Sequence, residues 1–183
     1  VFWVLDLWPE SVSAAGNLNS KIILKIISPL VKLIYNYSDR ILVTSHAYIP
    51  SIVSKGISEE NIDYFPQWAE SIFIPLSKIN NKYNTLLPNG FIVMFAGNIG
   101  EAQDFESILR AADLTRQYAN IHWVVIGDGR KKQWVMDQVE TRDLKNTFHL
   151  LGKFPLQSMP QFYAAADVML ISLKKWKWML ISS

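Results

Sequence analysis

Three glycine-bearing loops are the parts of this sequence best suited to bind an anion. Each follows an apolar run: Gly97-Asn98-Ile99-Gly100, Gly127-Asp128-Gly129 and, further on, Gly152. Glycine lets backbone N–H groups approach an anion closely, and the start of a following helix favours negative charge. Any one of these loops could be only a tight turn. Two in succession, with Arg130 and Lys131 directly after the second, favour a phosphate-bearing ligand.

The sequence patterns that several other chemistries require are absent from this chain. The chain has no Cys, which excludes disulfides and Cys-ligated metal sites. It contains no GxxxxGK[ST] motif, and the Gly97 loop lacks the third glycine of a dinucleotide fingerprint. His122 and His149 fall inside predicted strands and are expected to be packed structural residues, whereas His46, near a predicted helix start, remains a weaker functional candidate. No metal site is predicted, and a net charge of +2 is too small to indicate nucleic-acid binding.

The elements that must position these loops alternate between strands and helices. Apolar runs predict strands at Val1–Leu7, Arg40–Thr44, Ile62–Phe65, Phe91–Ala96, Ile121–Ile126, Thr147–Leu151 and Val168–Ile171. Helical spacing predicts helices at Ser20–Ser38, Ser45–Lys55, Gln103–Tyr118, Arg130–Arg142 and Met159–Ala166. Pro29 is expected to kink or interrupt the first of these helices. This alternation predicts a doubly wound α/β fold with parallel sheets, in which ligands bind at the carboxyl ends of the strands.

The length and the local composition of the chain predict two structural units. Its 183 residues, 50% of them hydrophobic, can bury a sizeable core. Residues 75–90 are polar, Asn-rich and bracketed by prolines, which favours a linker. The first residues begin inside an apolar run without Met, so the chain is expected to be an internal piece of a longer protein. No stretch reaches the roughly 18 consecutive apolar residues that a membrane span needs.

Several motifs, in a fixed order, carry a resemblance to a known family. They are Trp3-Val4-Leu5-Asp6-Leu7-Trp8-Pro9-Glu10-Ser11, Asp39-Arg40-Ile41-Leu42-Val43-Thr44-Ser45, Phe95-Ala96-Gly97-Asn98-Ile99-Gly100-Glu101-Ala102-Gln103, Val125-Ile126-Gly127-Asp128-Gly129, Leu151-Gly152, Met159-Pro160 and Tyr163-Ala164-Ala165-Ala166-Asp167-Val168. The chain resembles the bacterial retaining glycosyltransferases of family 4, which are two-domain GT-B enzymes. Its likeness is greatest to the subgroup of O-antigen and colanic-acid assembly that includes L-fucosamine transferases.

The resemblance implies a domain layout. Residues 1–74 would be the latter part of an acceptor-binding Rossmann-like domain, followed by the linker 75–90. Residues 91–173 would be most of a donor-binding Rossmann-like domain, and residues 174–183 match no part of the family. The family's Glu-x7-Glu segment, which contacts the donor sugar and ribose, is not found after Val168–Ile171. This chain alone is therefore expected to bind a nucleotide sugar weakly and to lack catalytic competence.

The resemblance also implies roles for individual residues. The loop Gly97–Gly100 would face the donor diphosphate, and Gly127-Asp128-Gly129 would lie under the nucleotide; Gly152 joins them as a donor-site residue. Most of the family has Arg and Lys where this chain has Asn98 and Gln103. Arg130 and Lys131 are the candidates to replace that charge, with solvated helix-start positions as the equal alternative. Asp6 is the catalytic candidate, either orienting a sugar or capping the turn at Trp8-Pro9.

The function that the resemblance implies is sugar transfer from a nucleotide-diphosphate donor, UDP-linked in our expectation, to a lipid-linked or oligosaccharide acceptor. No cofactor or metal is expected, and the location would be cytoplasmic. Helix Ser20–Ser38 could rest on an anionic inner membrane surface through Lys21, Lys25 and Lys32, or its apolar face could pack on the sheet. The alternative function is a non-catalytic nucleotide-binding remnant or scaffold. A sugar-phosphate epimerase is disfavoured because no Tyr-x-x-x-Lys pair or amino-terminal GxGxxG is present.

Overall fold

The computed structural model describes residues 1–9, 11, 21–78 and 82–174, and for residues 21–24 it describes the backbone only. The described residues form two compact units, one within residues 1–69 and the other spanning Glu70–Lys174. Both units are built on parallel sheets, so the predicted α/β class is confirmed. The predicted tail 174–183 lies outside the described residues, except for Lys174.

The first unit holds a three-stranded parallel sheet in the order β1-β2-β3. Its strands are β1 (Phe2–Val4), β2 (Ile41–Val43) and β3 (Ile62–Tyr64), shorter than the apolar runs that predicted them. A single turn of 3-10 helix at His46–Tyr48 leads into helix α2 (Ile49–Ser54), and the Ser45 side chain accepts a hydrogen bond from the Ala47 amide. The prediction that Ser45 caps a helix start is therefore confirmed.

Helix α1 (Lys21–Asn36) contains Pro29 and continues through it, so the predicted interruption is wrong. Its apolar residues are divided between two environments. Val31 and Tyr35 are buried against the sheet together with Val4, Val43 and Ile52. Among the side chains described for this helix, those of residues 25–36, the exposed apolar ones are Ile26, Leu30, Leu33 and Ile34. Packing on the sheet therefore accounts for only part of the apolar surface of this helix.

The second unit holds a four-stranded parallel sheet in the order β6-β5-β4-β7. Its strands are β4 (Phe91–Ala96), β5 (Ile121–Ile126), β6 (Phe148–Gly152) and β7 (Val168–Met169). The helices are α3 (Phe105–Leu114), α4 (Lys132–Thr141) and α5 (Met159–Ala165). The predicted bounds of β4 and β5 are confirmed to the residue, because β4 is apolar along its whole length and β5 is apolar except for His122.

Both faces of this sheet are covered, which explains the unbroken apolar runs. On one face, helices α3 and α4 pack against Phe95, Trp123 and Val125. On the other face, helix α5 packs against Ile92, Met94, Val124 and Ile126 through a set of residues that includes Met159, Phe162 and Ala165. The sheet is therefore fixed from both sides, and so are the positions at which its strands end.

Much of the segment predicted as a linker packs on the second unit. The Tyr83 ring stacks on Phe162 at 4.4 Å between centroids, and its hydroxyl lies 2.6 Å from the Ser158 hydroxyl. The Lys78 ammonium lies 2.7 Å from the Asp167 carboxylate. Polar composition marked this stretch as a boundary, but the few apolar and charged side chains within it attach it to one side. The assignment of residues 1–74 and 91–173 to acceptor and donor domains stays a prediction.

Candidate functional site

A cleft of about 390 Å³ opens at the carboxyl ends of β4, β5 and β6. This is the edge at which a parallel α/β sheet binds its ligands. The residues lining the cleft come from the loop after each strand and from helix α5: Ala96, Gly97, Asn98, Ile126, Gly127, Asp128, Lys153, Phe154, Met159 and Tyr163. The structure therefore brings four of the predicted donor-site residues together, namely Gly97, Asn98, Gly127 and Asp128.

Two glycines let the first two loops pack directly on each other. Gly127 has φ +143°, and a Cβ there would lie 1.8 Å from the Gly97 carbonyl oxygen. Gly129 has φ +155°, and a Cβ there would lie 2.4 Å from the Ile99 carbonyl oxygen. Because the obstructing atoms are backbone, neither position can accept a side chain without moving a loop. These glycines are thus required by the contact between the loops after β4 and β5.

Three glycine amides of the predicted anion site donate hydrogen bonds to acceptors within the protein. Gly97 N donates to Ile126 O at 2.9 Å, and Gly127 N donates to Gly152 O at 2.8 Å. Gly129 N donates to the Asp128 carboxylate, also at 2.8 Å. These three amides are therefore not free to bind an anion, because they donate to acceptors within the protein. The anion cradle as a whole stays a prediction. The glycines shape the floor of the cleft.

Asn98 and Gln103 differ in their relation to the cleft. Asn98 lines it, whereas Gln103 does not. The Gln103 side-chain oxygen accepts a hydrogen bond from the Gly100 amide at 3.2 Å, which holds the turn of the loop. Gln103 and Gly100 are therefore supporting residues in this structure, and Asn98 is the polar side chain that this loop contributes.

The two cations expected to neutralise a diphosphate lie outside the cleft lining. The Lys131 ammonium is 3.3 Å from the Glu101 carboxylate and 4.7 Å from the centre of the Trp134 ring. Arg130 is exposed, and no carboxylate of the described residues pairs with it. Lys131 is thus engaged elsewhere, which favours the alternative in which it is a helix-start charge outside the donor site.

Asp128 places a negative charge at the rim of the cleft. Its pKa is held below the usual value, first by the hydrogen bond from the Gly129 amide and then by Lys132, whose ammonium is 3.4 Å away. The charge of Lys153 acts in the same direction. Asp128 is therefore ionised at neutral pH, and it can accept hydrogen bonds from sugar hydroxyl groups but not from phosphate oxygens.

Sequence reasoning missed Lys153, Phe154, Met159 and Tyr163, which line the cleft. Lys153 directly follows Gly152, the last residue of β6. The rule that directed attention to the loops after β4 and β5 applies equally to this loop, so Lys153 could have been found from sequence. The position of helix α5 at the cleft depends on how Phe162 of that helix packs in the core. This position could not have been found from sequence.

Asp6 lies in the first unit, two residues beyond the end of β1, and is exposed. It borders a mainly apolar cleft of about 270 Å³ whose lining includes Trp3, Trp8 and Tyr35. Among the described residues, no hydrogen bond joins its carboxylate to the turn at Trp8-Pro9, which speaks against the capping role. His46, the weaker candidate, stacks on Tyr64 at 4.0 Å between ring centroids.

His122 and His149 face each other across β5 and β6, with His122 Nδ1 3.2 Å from His149 Nε2. Burial, and second the charge of His122, lower the pKa of His149. The two rings lie within strands, as expected for structural residues. In the described part of the chain, no three His, Asp or Glu side chains cluster closely enough to hold a metal ion. Nor is any helix there long and apolar enough to cross a membrane.

The fold and cleft define an α/β protein with parallel sheets and a cleft at the carboxyl edge of its second sheet. Residues 78–175, more than half of the chain, match the family model of the glycosyl transferases group 1. The chain belongs to this family. The family resemblance drawn from its motifs is thereby confirmed, while its likeness to L-fucosamine transferases stays a prediction.

Two curated relatives are named as glycosyltransferases. WcaI of Escherichia coli, named for colanic acid biosynthesis, is 30% identical over 75% of this chain and 34% of its own length. WbjE of Pseudomonas aeruginosa, named as a glycosyltransferase, is 26% identical over 94% of this chain and 44% of its own length. The chain thus spans about a third to under half of the curated relatives it matches.

A solved structure shows the same fold. The crystal structure of Anabaena Alr3699/HepE in complex with UDP superposes with a TM-score of 0.70, at 15% identity, over 91% of this chain and 44% of that one. At this identity the likeness establishes architecture only. The prediction of GT-B-like parallel sheets is confirmed by it.

Proposed function

We propose that the protein acts in transfer of a sugar from a nucleotide-diphosphate donor to a lipid-linked or oligosaccharide acceptor during bacterial surface-polysaccharide synthesis, in the cytoplasm. The observation that carries this proposal is the glycine-floored cleft at the carboxyl ends of β4, β5 and β6, within the region that matches the family. Two relatives add support, since one is named for colanic acid biosynthesis and one was solved with UDP.

The cleft suits a nucleotide sugar in size and in chemistry. Its volume of about 390 Å³ falls in the range of small-molecule sites, about 300–1,000 Å³. Phe154, Met159 and Tyr163 supply an apolar wall against which a base can pack. Asn98 and Asp128 supply acceptors for ribose or sugar hydroxyl groups. Gly97 and Gly127 keep the floor free of side chains, so that the donor can approach the backbone.

The contribution of these residues to transfer would be positioning. A donor held between the apolar wall and the polar loops presents its anomeric carbon in a fixed direction, which removes much of the entropic cost of reaction. Stabilisation of the leaving diphosphate is the second requirement of this reaction class. Asp6, from the first unit, stays the candidate for orienting a sugar.

A binding measurement with a matched pair of variants tests the donor site. A Cβ at Gly97 would meet only the Phe95 ring, at 3.5 Å, but φ there is +159°, so Gly97→Val places two methyl groups at the cleft at a cost in backbone strain. Urea unfolding of the variant checks that it is folded before binding is compared. Ala119→Val also adds two methyl groups, at an exposed position before β5. We expect ligand-observed NMR to detect UDP binding to the wild type and to Ala119→Val, and to detect none with Gly97→Val. Equal UDP binding by the two variants would show that the donor site is not at Gly97.

Release of UDP from a panel of UDP-sugars, with bacterial membrane extract as the acceptor source, tests transfer itself. Release with one donor and not the others would support the enzyme and name its sugar. UDP binding without release under any condition would favour the non-catalytic nucleotide-binding module.

We further propose a peripheral membrane contact through residues 20–38. Ser20 lies outside the described residues, but helix α1 exposes Ile26, Leu30 and Leu33 beside Lys25 and Lys32. An apolar strip with flanking lysines fits an anionic bilayer surface. Sedimentation with phosphatidylglycerol vesicles should exceed that with phosphatidylcholine vesicles, and a Lys25→Glu/Lys32→Glu double variant should abolish the difference. Equal sedimentation of wild type and variant would refute the contact.

A further inference from the structure

We propose that Lys153 is the residue that binds the donor diphosphate. This inference rests on the proposed function and extends it, because it assigns the charge contact that neither Asn98 nor Gln103 can make. A neutral amide contributes no positive charge, and the Gln103 side chain is committed to the Gly100 amide.

Lys153 is at the right place in the sheet. It follows Gly152 at the carboxyl end of β6, and Gly127 N donates to Gly152 O, so the loops after β5 and β6 meet there. Lys153 lines the same cleft as Gly97 and Asn98. Of the described residues in that lining, it alone has a cationic side chain.

Lys153 is also available, while the neighbouring lysines are engaged and Arg130, unpaired among the described residues, lies outside the cleft lining. The ammonium groups of Lys131 and Lys174 lie 3.3 and 3.4 Å from the Glu101 carboxylate, and that of Lys132 lies 3.4 Å from the Asp128 carboxylate. Within the described part of the chain, Lys153 has no carboxylate within 4.0 Å, and its side chain is exposed. A bound diphosphate would therefore gain a cation without breaking an existing ion pair.

Lys153 and Asp128, from the loops after β6 and β5, line the same cleft. The charge of Lys153 lowers the pKa of Asp128 even though no ion pair joins the two residues. A flexible four-carbon stem lets the ammonium swing from this region to a phosphate oxygen as a compact point charge. Charge-assisted hydrogen bonds of this kind are stronger than neutral ones.

The test compares three ligands that share one nucleoside: UDP, UMP and uridine. Each is titrated by ligand-observed NMR or calorimetry into the wild type, Lys153→Gln, Lys153→Arg and Lys145→Gln. Lys145, whose ammonium pairs with Glu140, is the control for loss of one exposed positive charge outside the cleft. Urea unfolding of all four proteins checks that the fold is unchanged.

We expect Lys153→Gln to weaken UDP binding by about 10-fold or more, the equivalent of one charge-assisted hydrogen bond, and to leave uridine binding unchanged. Lys153→Arg should retain most of the UDP affinity, and Lys145→Gln should behave as the wild type. The salt dependence of UDP binding should fall in Lys153→Gln.

Each other outcome overturns the inference in an identifiable way. Equal losses of UDP and uridine affinity would place Lys153 against the nucleoside. Unchanged UDP affinity in Lys153→Gln would assign the diphosphate to another residue, while the donor site itself stands. A wild type that binds neither UDP nor uridine would refute the donor site of the proposed function and this inference with it.

Discussion

Replacement of Gly127 by alanine should destabilise the second unit far more than the same change at Gly152. A Cβ at Gly127 would lie 1.8 Å from the Gly97 carbonyl oxygen, and the backbone there has φ +143°. At Gly152, φ is +83° but a Cβ would meet nothing within 4 Å. The pair therefore separates the cost of an unfavourable φ from the cost of a collision between two loops.

The expected magnitudes follow from the contacts that each change breaks. Gly152→Ala costs only the left-handed conformation, about 1–2 kcal/mol. Gly127→Ala strains the backbone and also pushes the loops apart. Separation of the loops breaks the hydrogen bonds from Gly97 N to Ile126 O and from Gly127 N to Gly152 O. Strain of about 1–3 kcal/mol and two hydrogen bonds of about 1 kcal/mol each make the total about 3–5 kcal/mol. That is a large part of the stability of an ordinary domain, about 5–15 kcal/mol.

Urea unfolding followed by circular dichroism measures the difference, with equal m-values as the check that the unfolded states are comparable. Hydrogen exchange read by mass spectrometry assigns it, because peptides from β4 and β5 should lose protection in Gly127→Ala and keep it in Gly152→Ala. Equal unfolding free energies for the two variants would refute the argument that the loops after β4 and β5 are held in backbone contact.

Three further changes probe the packing around the cleft. Asp167→Asn should lower stability at pH 7, because the Lys78 ammonium and then the Ile92 amide lower the pKa of Asp167; in pH-dependent unfolding, its difference from wild type should shrink as the pH falls below about 4. The wild type should lose stability as the pH falls below about 6.5, because burial lowers the pKa of His149 and the folded state therefore disfavours protonation of this ring. His149→Phe should lack this pH dependence. Tyr83→Phe should cost about 1–2 kcal/mol in urea unfolding, since the buried Ser158 hydroxyl loses its 2.6 Å partner, and adding Ser158→Ala should recover part of the loss.

The fold of the second unit was predictable because its strands are buried on both faces. Phe91–Ala96 is apolar throughout and Ile121–Ile126 is apolar except for His122, and each is followed by a glycine, so composition marks where both strands end. The strands of the first unit are shorter than their apolar runs. There, residues such as Leu5 and Phe65 are apolar but exposed, and hydrophobicity alone does not distinguish them from strand residues.

The cleft was predictable in position but not in its chemistry. Gly97 and Gly127 were found because strand ends meet at one edge of a parallel sheet. The use of their amides depends on how closely two loops approach, and that distance follows from the packing of the whole sheet. The ion pair of Lys131 with Glu101 likewise depends on a contact between segments about 30 residues apart, which spacing along the sequence does not reveal.

The hydrogen bond from the Gly100 amide to the Gln103 side chain has a consequence for how this loop could change. A lysine at position 103 has no acceptor atom to offer. One exchange of Gln103→Lys would therefore release an N–H group and introduce a positive charge at the same turn. A single substitution thus separates a loop whose Gly100 amide is bonded to a neutral side chain from a loop with a free amide and an added positive charge. This chain has the bonded form because residue 103 is glutamine.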